Sequence, residues 1–396
     1  MKKYDFDRII DRRHTCCTKY DGLNQMFGRN DVTPLWIADL DFAVCPDITA
    51  ALRERLDHPV LGYSAAPDSY WESIIEWQRR RHGFEIERDE LTFIPGVVKG
   101  IALALNYFTD RGDKVVIQPP VYHPFRMVIE GNERKVVENP LLFDGNHYTM
   151  DLAGLEKVVR EEKPRMMILC NPHNPIGLQW DKATLAEVGR ICKENGVIVV
   201  SDEIHGDLML GGRRHISFAA ASADGADVSI TLGAPSKTFN IPGLVSSWMV
   251  VKNPELRKGF YNWLTVNEFN APVMISTIGA EAAYRHGEDW LDQMLEYVER
   301  NVEFVDSYLR KNCPSVKVVL PEVSFLVWLD FSSLGLSQEG LMRFLVDKAH
   351  VAMNDGEMFG SQGRGYVRLN VGTPRSVLED ALTHIAEGIK ELIIKN

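Results

Sequence analysis

From about residue 90 onward, short β-branched runs alternate with amphipathic stretches, and nearly every run stops at a turn former or a polar side chain. Strands separated by helices pair in parallel and have both faces covered, so this alternation predicts an α/β domain built on a largely parallel sheet. The runs lie at 91–94, 114–118, 165–170, 197–201, 227–232 and 246–251. Helical spacing covers 97–108, 152–161 and 182–195, the last closed by Gly196 as a C-terminal glycine closes a helix.

Further on, apolar residues at 291, 294, 295, 298, 302, 305 and 309 mark one long helix over 290–312. Strand-like runs at 316–320, 324–331 and 365–372, a helix near 337–350 and a final helix from Pro374 follow. With 396 residues the chain exceeds one ordinary domain. The expected division is a large domain over 47–288 and a small α/β domain over 289–396 joined by the long helix, with an irregular segment, 1–46, packed on the small domain.

Hydrophobic residues at 45% and charged residues at 25% are ordinary for a globular protein, and a net charge of −11 argues against general nucleic-acid binding. No apolar stretch is long enough to span a bilayer, and the first residues lack a signal-peptide core. The six cysteines form no CxxC pair and no metal-like spacing, which fits packing residues in a reduced, cytoplasmic enzyme.

In open α/β sheets ligands bind beyond the carboxyl ends of the strands, and the unusual residues of this chain collect there. Gly96-Val97-Val98 opens a helix, either as a phosphate-binding cup or as a simple strand–helix turn. Asn174, between Pro172 and Pro175, sits in a rigid turn with its amide held outward, as a turn residue or a ligand contact. Asp202 leaves a buried strand and needs a partner, which a protonated ring nitrogen or a helix N-terminus would supply. Asp202, His205 and Asp207 follow no recognisable metal-ligand pattern.

Lys237, in TLGAPSKTFNIPGL (231–244), has three readings: a phosphate-binding lysine, a covalent cofactor lysine, or a surface loop lysine. A Walker A loop is a poor match, because Ser236 stands where its glycine should and Pro242 interrupts the helix that should follow. No GxGxxG occurs in the chain. A covalent lysine must lose its proton to attack a carbonyl, and burial beside a cationic ring lowers its pKa from the usual ~10.4.

With these residues the chain resembles the fold-type I pyridoxal-phosphate enzymes of the class I/II aminotransferase-like superfamily, over almost its whole length. The segments PLWIADLDF (34–42), LGY (61–63), PGVVKG (95–100), PPVYHPF (119–125), SDEIHGDL (201–208) and APSKTFNIPGL (234–244) are similar to the MalY/PatB-type cystathionine β-lyases. The resemblance implies pyridoxal 5′-phosphate held covalently by Lys237, with Asp202 on its ring nitrogen, Asn174 on its 3′-oxygen and Tyr122 stacked on the ring. Gly96, Val97, Val98 and Ser236 would hold its phosphate, and His205 would lie beside the ring. Arg368, in YVRLNVG, would bind the substrate carboxylate with Asn174 and Ala38 nearby. Tyr63 would reach the phosphate of a neighbouring subunit, so a homodimer with active sites at the interface is implied.

Two positions depart from the common aminotransferase pattern and resemble the lyase subgroup: Val245, where many members carry a phosphate-binding arginine, and His205, where many carry tyrosine. Ala234 removes one hydroxyl from the phosphate region. The expected activity is α,β-elimination of cystathionine or related cysteine S-conjugates to a thiol, pyruvate and ammonia. An aminotransferase using the same carbanion is the alternative. A cofactor-binding regulator is a further one, for which the residues before Pro34 leave no room for a DNA-binding domain.

Overall fold

The computed structural model describes residues 2–395. Its central sheet holds seven strands: β1 (Leu91–Ile94), β2 (Lys114–Ile117), β3 (Lys135–Glu138), β4 (Met166–Cys170), β5 (Ile198–Asp202), β6 (Ser229–Gly233) and β7 (Ser247–Val250). They lie in the order β1-β7-β6-β5-β4-β2-β3, and only β7 runs antiparallel to its neighbours. The other six strands therefore send their carboxyl ends to one edge. β4 and β6 are buried along their whole length, as a sheet covered on both faces requires. The edge strand β3 instead carries exposed Lys135 and Glu138, which discourages pairing with another chain.

The β6 region corrects one expected boundary. Asp227 and Val228 end a short helix, Ala223–Val228, and the strand begins only at Ser229. Ser222 caps that helix by accepting the Gly225 amide, and Lys193 binds Asp227, so a local polar anchor outweighs the apolar run. The first 45 residues are also less irregular than expected, with short helices at Thr18–Asp21 and Leu23–Phe27 and a strand, Thr33–Pro34, paired with Val351–Ala352.

Helices α1 (Pro46–Leu56) and α2 (Asp68–His82) precede the sheet, and α3 (Val97–Phe108) follows β1 directly. A single turn, α4 (Pro235–Thr238), follows β6 and carries Lys237. Gly233 is required there because a Cβ would collide with the Trp248 ring on β7. α5 (Met274–His286) then packs on α1 and α2.

The long helix α6 (Glu288–Asn312) leads into an antiparallel four-stranded sheet, β8 (Lys317–Val319), β9 (Leu326–Asp330), β10 (Asn354–Asp355) and β11 (Tyr366–Asn370), in the order β8-β9-β11-β10. Helices α7 (Gln338–Asp347) and α8 (Arg375–Lys395) complete this part. Phe6 from the N-terminal segment packs on Phe42, on Trp290 and on Tyr297, at ring separations of 5.0, 5.9 and 5.6 Å. Among the described residues no helix is long and apolar enough to cross a membrane.

Candidate active site

A cavity of about 270 Å³ opens at the carboxyl ends of the central strands. Ala38, Gly96, Val97, Val98, Tyr122, Asn174, Asp202, His205, Ser236 and Lys237 all line it, so the strand exits singled out in the sequence converge. Arg368 stands immediately behind this wall, bonded to Asn174. Tyr63 is not brought to this chain's own cavity. It is fully exposed in a stretch without secondary structure.

Lys237 is half-buried and donates Nζ to the Ala38 carbonyl at 2.5 Å. Burial lowers its pKa to about 8, helped by the Arg368 charge and opposed by Asp39 and Asp202. The lysine therefore gives up its proton far more readily than an ordinary lysine, as a nucleophile or base requires, and has no ion pair among the described residues.

Asp202 ends β5 in a buried position, and its Oδ1 accepts the Ile204 amide at 3.1 Å. The chain after it makes a turn and not a helix, so the helix-capping alternative falls away. Burial raises its pKa to about 7, with the neighbouring Glu203 charge adding and the Ile204 amide and Lys237 opposing. A buried carboxyl in that condition favours a cationic partner. His205 is held down to about 3 by burial and by the charges of Lys237 and Arg368, so it faces the cavity as a neutral ring. Burial likewise raises the Tyr122 hydroxyl.

Asn174 corrects another expectation. Its amide is not held outward, because Oδ1 accepts Arg368 Nη1 at 3.0 Å in a buried position. Arg368 also donates from Nη2 to Asn354 Oδ1 at 2.7 Å and to the Trp36 carbonyl at 3.3 Å, while its buried Nε has no partner among the described residues. All these acceptors are neutral, and burial lowers the guanidinium to about 10.

Gly96 has φ +128° and ψ 146°, open only to glycine at no cost, and it places Val97 and Val98 at the start of α3. The first amides of a helix have no carbonyl one turn earlier, so they are free for an anion.

Asp207 does not join Asp202 and His205. Its carboxylate accepts Trp77 Nε1 at 2.8 Å, His82 Nε2 at 2.7 Å and Thr238 Oγ1 at 2.7 Å, tying α2 to the lysine turn from behind. Sequence reasoning missed this anchor and also Asn354. The only signal for Asp207 was a third acid in SDEIHGDL with no assigned task.

A mostly parallel sheet, a lysine turn after its sixth strand and a second small sheet that carries Arg368 behind the cavity define the fold-type I architecture of pyridoxal-phosphate transferases. The sequence model described as aminotransferase class I and II matches residues 30–385, and the chain belongs to that family, among its MalY/PatB-type members. Cystathionine beta-lyase PatB of Bacillus subtilis is 40% identical over 96% of this chain and 98% of its own length. Cystalysin of Treponema denticola, solved with pyridoxal 5′-phosphate, superposes with TM-score 0.95 at 33% identity, covering 99% of this chain and 100% of that one. The pyridoxal-phosphate-bound C-S lyase of Staphylococcus hominis gives TM-score 0.91 at 34% identity and 98% coverage of each chain.

Proposed function

We propose that this protein is a pyridoxal-phosphate-dependent carbon–sulfur β-lyase that cleaves cystathionine or related cysteine S-conjugates to a thiol, pyruvate and ammonia. The observation that carries the reading is the buried Arg368, without an acidic partner among the described residues, beside a cavity that also holds a lysine of lowered pKa and an aspartate of raised pKa. An α-carboxylate, an aldehyde and a ring nitrogen answer these three needs in one ligand pair.

The residues present fit the cofactor. Asp202 has an oxygen without a partner among the described residues and would hold the proton of a pyridine nitrogen. Asn174 keeps Nδ2 free for a phenolic oxygen, and Tyr122 offers a ring face. The helix start at Val97 and Val98, with Ser236, would hold a phosphate. When bound, pyridoxal phosphate supplies an electron sink for the pair released at the substrate α-carbon.

Arg368 would clamp the α-carboxylate and so orient the Cα–H bond. Lys237, freed from its carbonyl contact, would take the α-proton, which typically contributes ~10²–10⁴ in rate. His205, neutral, adds no competing cation.

Residues 47–288 and 289–396 are proposed as the two domains, with residues 1–46 closing the second. A homodimer is proposed: one chain leaves Val60, Leu61 and Tyr63 exposed, and Tyr63 would reach the phosphate site of a partner subunit. A cytoplasmic setting fits the six cysteines, none of them disulfide-bonded.

The test is pyruvate and thiol release from L-cystathionine by cofactor-loaded protein without added keto acid. Many turnovers at one pyruvate per thiol support elimination. A single conversion of the cofactor to its amine form, restarted by a keto acid, makes the protein an aminotransferase.

A further inference from the structure

Behind the cavity, the N-terminal segment assembles four charges that the reading above leaves without a task. Arg12 donates Nη1 to Asp41 Oδ1 at 2.7 Å and Nη2 to Asp39 Oδ2 at 2.5 Å. Lys19, with no exposed surface, donates Nζ to Asp41 Oδ2 at 2.7 Å and lies 3.8 Å from Asp39 Oδ1. Burying an ammonium costs several kcal/mol before its partner offsets it, and apolar packing would hold a loop as well. Such a cluster is better explained by the geometry that it fixes.

That geometry is a run of carbonyls. Trp36 O accepts from Arg368 at 3.3 Å, and Ala38 O accepts from Lys237 at 2.5 Å. Asn370, two residues beyond Arg368 on β11, donates to Ile37 O at 2.6 Å and to Asp39 O at 2.7 Å. Asn240, just past Lys237, donates to Leu40 O at 2.9 Å and to Phe42 O at 3.0 Å. Every carbonyl from Trp36 to Leu40 is thus engaged, by the two segments that carry Lys237 and Arg368 and, at Leu40 O, also by Arg12 at 3.2 Å.

We infer that Arg12 and Lys19 are positioning residues, which hold Asp39 and Asp41 so that one segment aims both Lys237 and Arg368 and fixes one of the two negative charges that act on the lysine. The inference rests on the roles proposed above for those two cations. The charges facing Lys237 are Asp39 from this segment, Asp202 from the end of β5 and Arg368 from β11, and His205 is neutral. Asp39 favours the protonated lysine, and Arg12 and Lys19 offset part of Asp39. Removing Arg12 should therefore raise the lysine's titration midpoint, whereas Asp39→Asn should lower it.

The test uses the full chain loaded with pyridoxal phosphate in four variants: Arg12→Met, Arg12→Lys, Asp39→Asn, and the pair Lys19→Met with Asp41→Asn. The pair removes a buried cation and anion together and leaves no unpaired charge, so it keeps the experiment decisive if Arg12→Met fails to fold. The pH midpoint of the lysine–cofactor absorption band is read first, then KM and kcat separately. The pH dependence of borohydride-fixed aldehyde attachment at Lys237 in cofactor-free protein is read alongside. Arg12→Met should move both midpoints up by about 0.5–1 pH unit and Asp39→Asn should move them down. KM should rise roughly tenfold in Arg12→Met and in the pair variant, and Arg12→Lys should recover most of the change. Midpoints and KM equal to wild type in folded variants, with only thermal stability lowered, would overturn the inference. Failure of the wild-type protein to attach the cofactor at Lys237 would instead overturn the reading beneath it.

Discussion

Arg368 donates from Nη1 to Asn174 Oδ1 at 3.0 Å, and this bond joins the small sheet to the loop after β4. The same guanidinium reaches Asn354 and the Trp36 carbonyl, so one planar fork meets three elements. A lysine would keep the charge but not the fork. Arg368→Lys should lower kcat/KM for the amino acid by about 10²–10³, at about 1.4 kcal/mol per tenfold, with KM taking most of the change. Cofactor absorbance at saturation should be unaltered. Steady-state kinetics check this, and an unchanged KM would mean that the carboxylate binds elsewhere.

Asp202 predicts a pH dependence whose sign follows from its raised pKa. In the folded cofactor-free chain it titrates at about 7 against 3.8 unfolded, so the folded state holds the extra proton between those values. Its favourable contribution is complete below 3.8 and is lost as pH rises toward 7, a change of roughly 4 kcal/mol at about 1.36 kcal/mol per pKa unit. Asp202→Asn, which cannot ionise, should gain thermal stability relative to wild type as pH rises from 4 to 7.5 in cofactor-free protein. With cofactor, the same variant should slow α-proton exchange severely. Parallel thermal melts across pH, followed by deuterium exchange into the amino acid, test both halves.

Lys237 gives the opposite slope. Its pKa falls from 10.5 to about 8 on folding, so its stabilising contribution is present above 10.5 and is lost as pH drops through 8. In cofactor-free protein, aldehyde attachment at this lysine should rise with pH and level off above about 8. Lys237→Ala should abolish that adduct and turnover together. Peptide mapping after borohydride reduction decides, and an adduct on the same peptide in the variant would remove Lys237 from its role.

The central sheet was legible because its strands obey one rule: β-branched runs separated by helices pair in parallel, and their exits share an edge. Gly96, Asn174, Asp202 and Lys237 could be placed on that edge from sequence because each lies at, or a few residues past, the carboxyl end of a strand. Arg12, Lys19, Asp39 and Asp41 could not. Their meeting depends on a segment without periodicity that crosses to two distant elements, and spacing along a chain carries no record of such closure. Asp207 was hidden differently: it shares a motif with Asp202, but the turn after β5 sends its carboxylate to the opposite side, toward Trp77 and His82. The direction of Asn174 was misjudged because its partner, Arg368, lies far along the sequence on another sheet.

Asp207 anchors the lysine turn without touching the cavity. Three donors converge on one buried carboxylate, and its removal leaves His82, Trp77 and Thr238 unpaired. Asp207→Ala should cost about 3–5 kcal/mol. Thermal melts should show a lower Tm, while Lys237 at low temperature still takes up cofactor. A Tm within error of wild type would show that the three donors find other partners.

The last prediction concerns the phosphate end. At Gly96 an added Cβ would meet nothing nearer than Lys99 Cδ at 3.9 Å, so any effect of alanine comes from the backbone and not from crowding. With φ at +128°, alanine costs about 1–3 kcal/mol in place, or the turn relaxes and the first amides of α3 move. Gly96→Ala should therefore weaken pyridoxal-phosphate binding by about 5- to 100-fold. Free pyridoxal, which has no phosphate, should lose little. Gly243→Ala is the control, since that residue has open space around it and an ordinary φ. Cofactor titrations followed by absorbance compare the two. Equal loss for pyridoxal and its phosphate would place the phosphate away from the start of α3, and a selective loss for the phosphate ester would place it there.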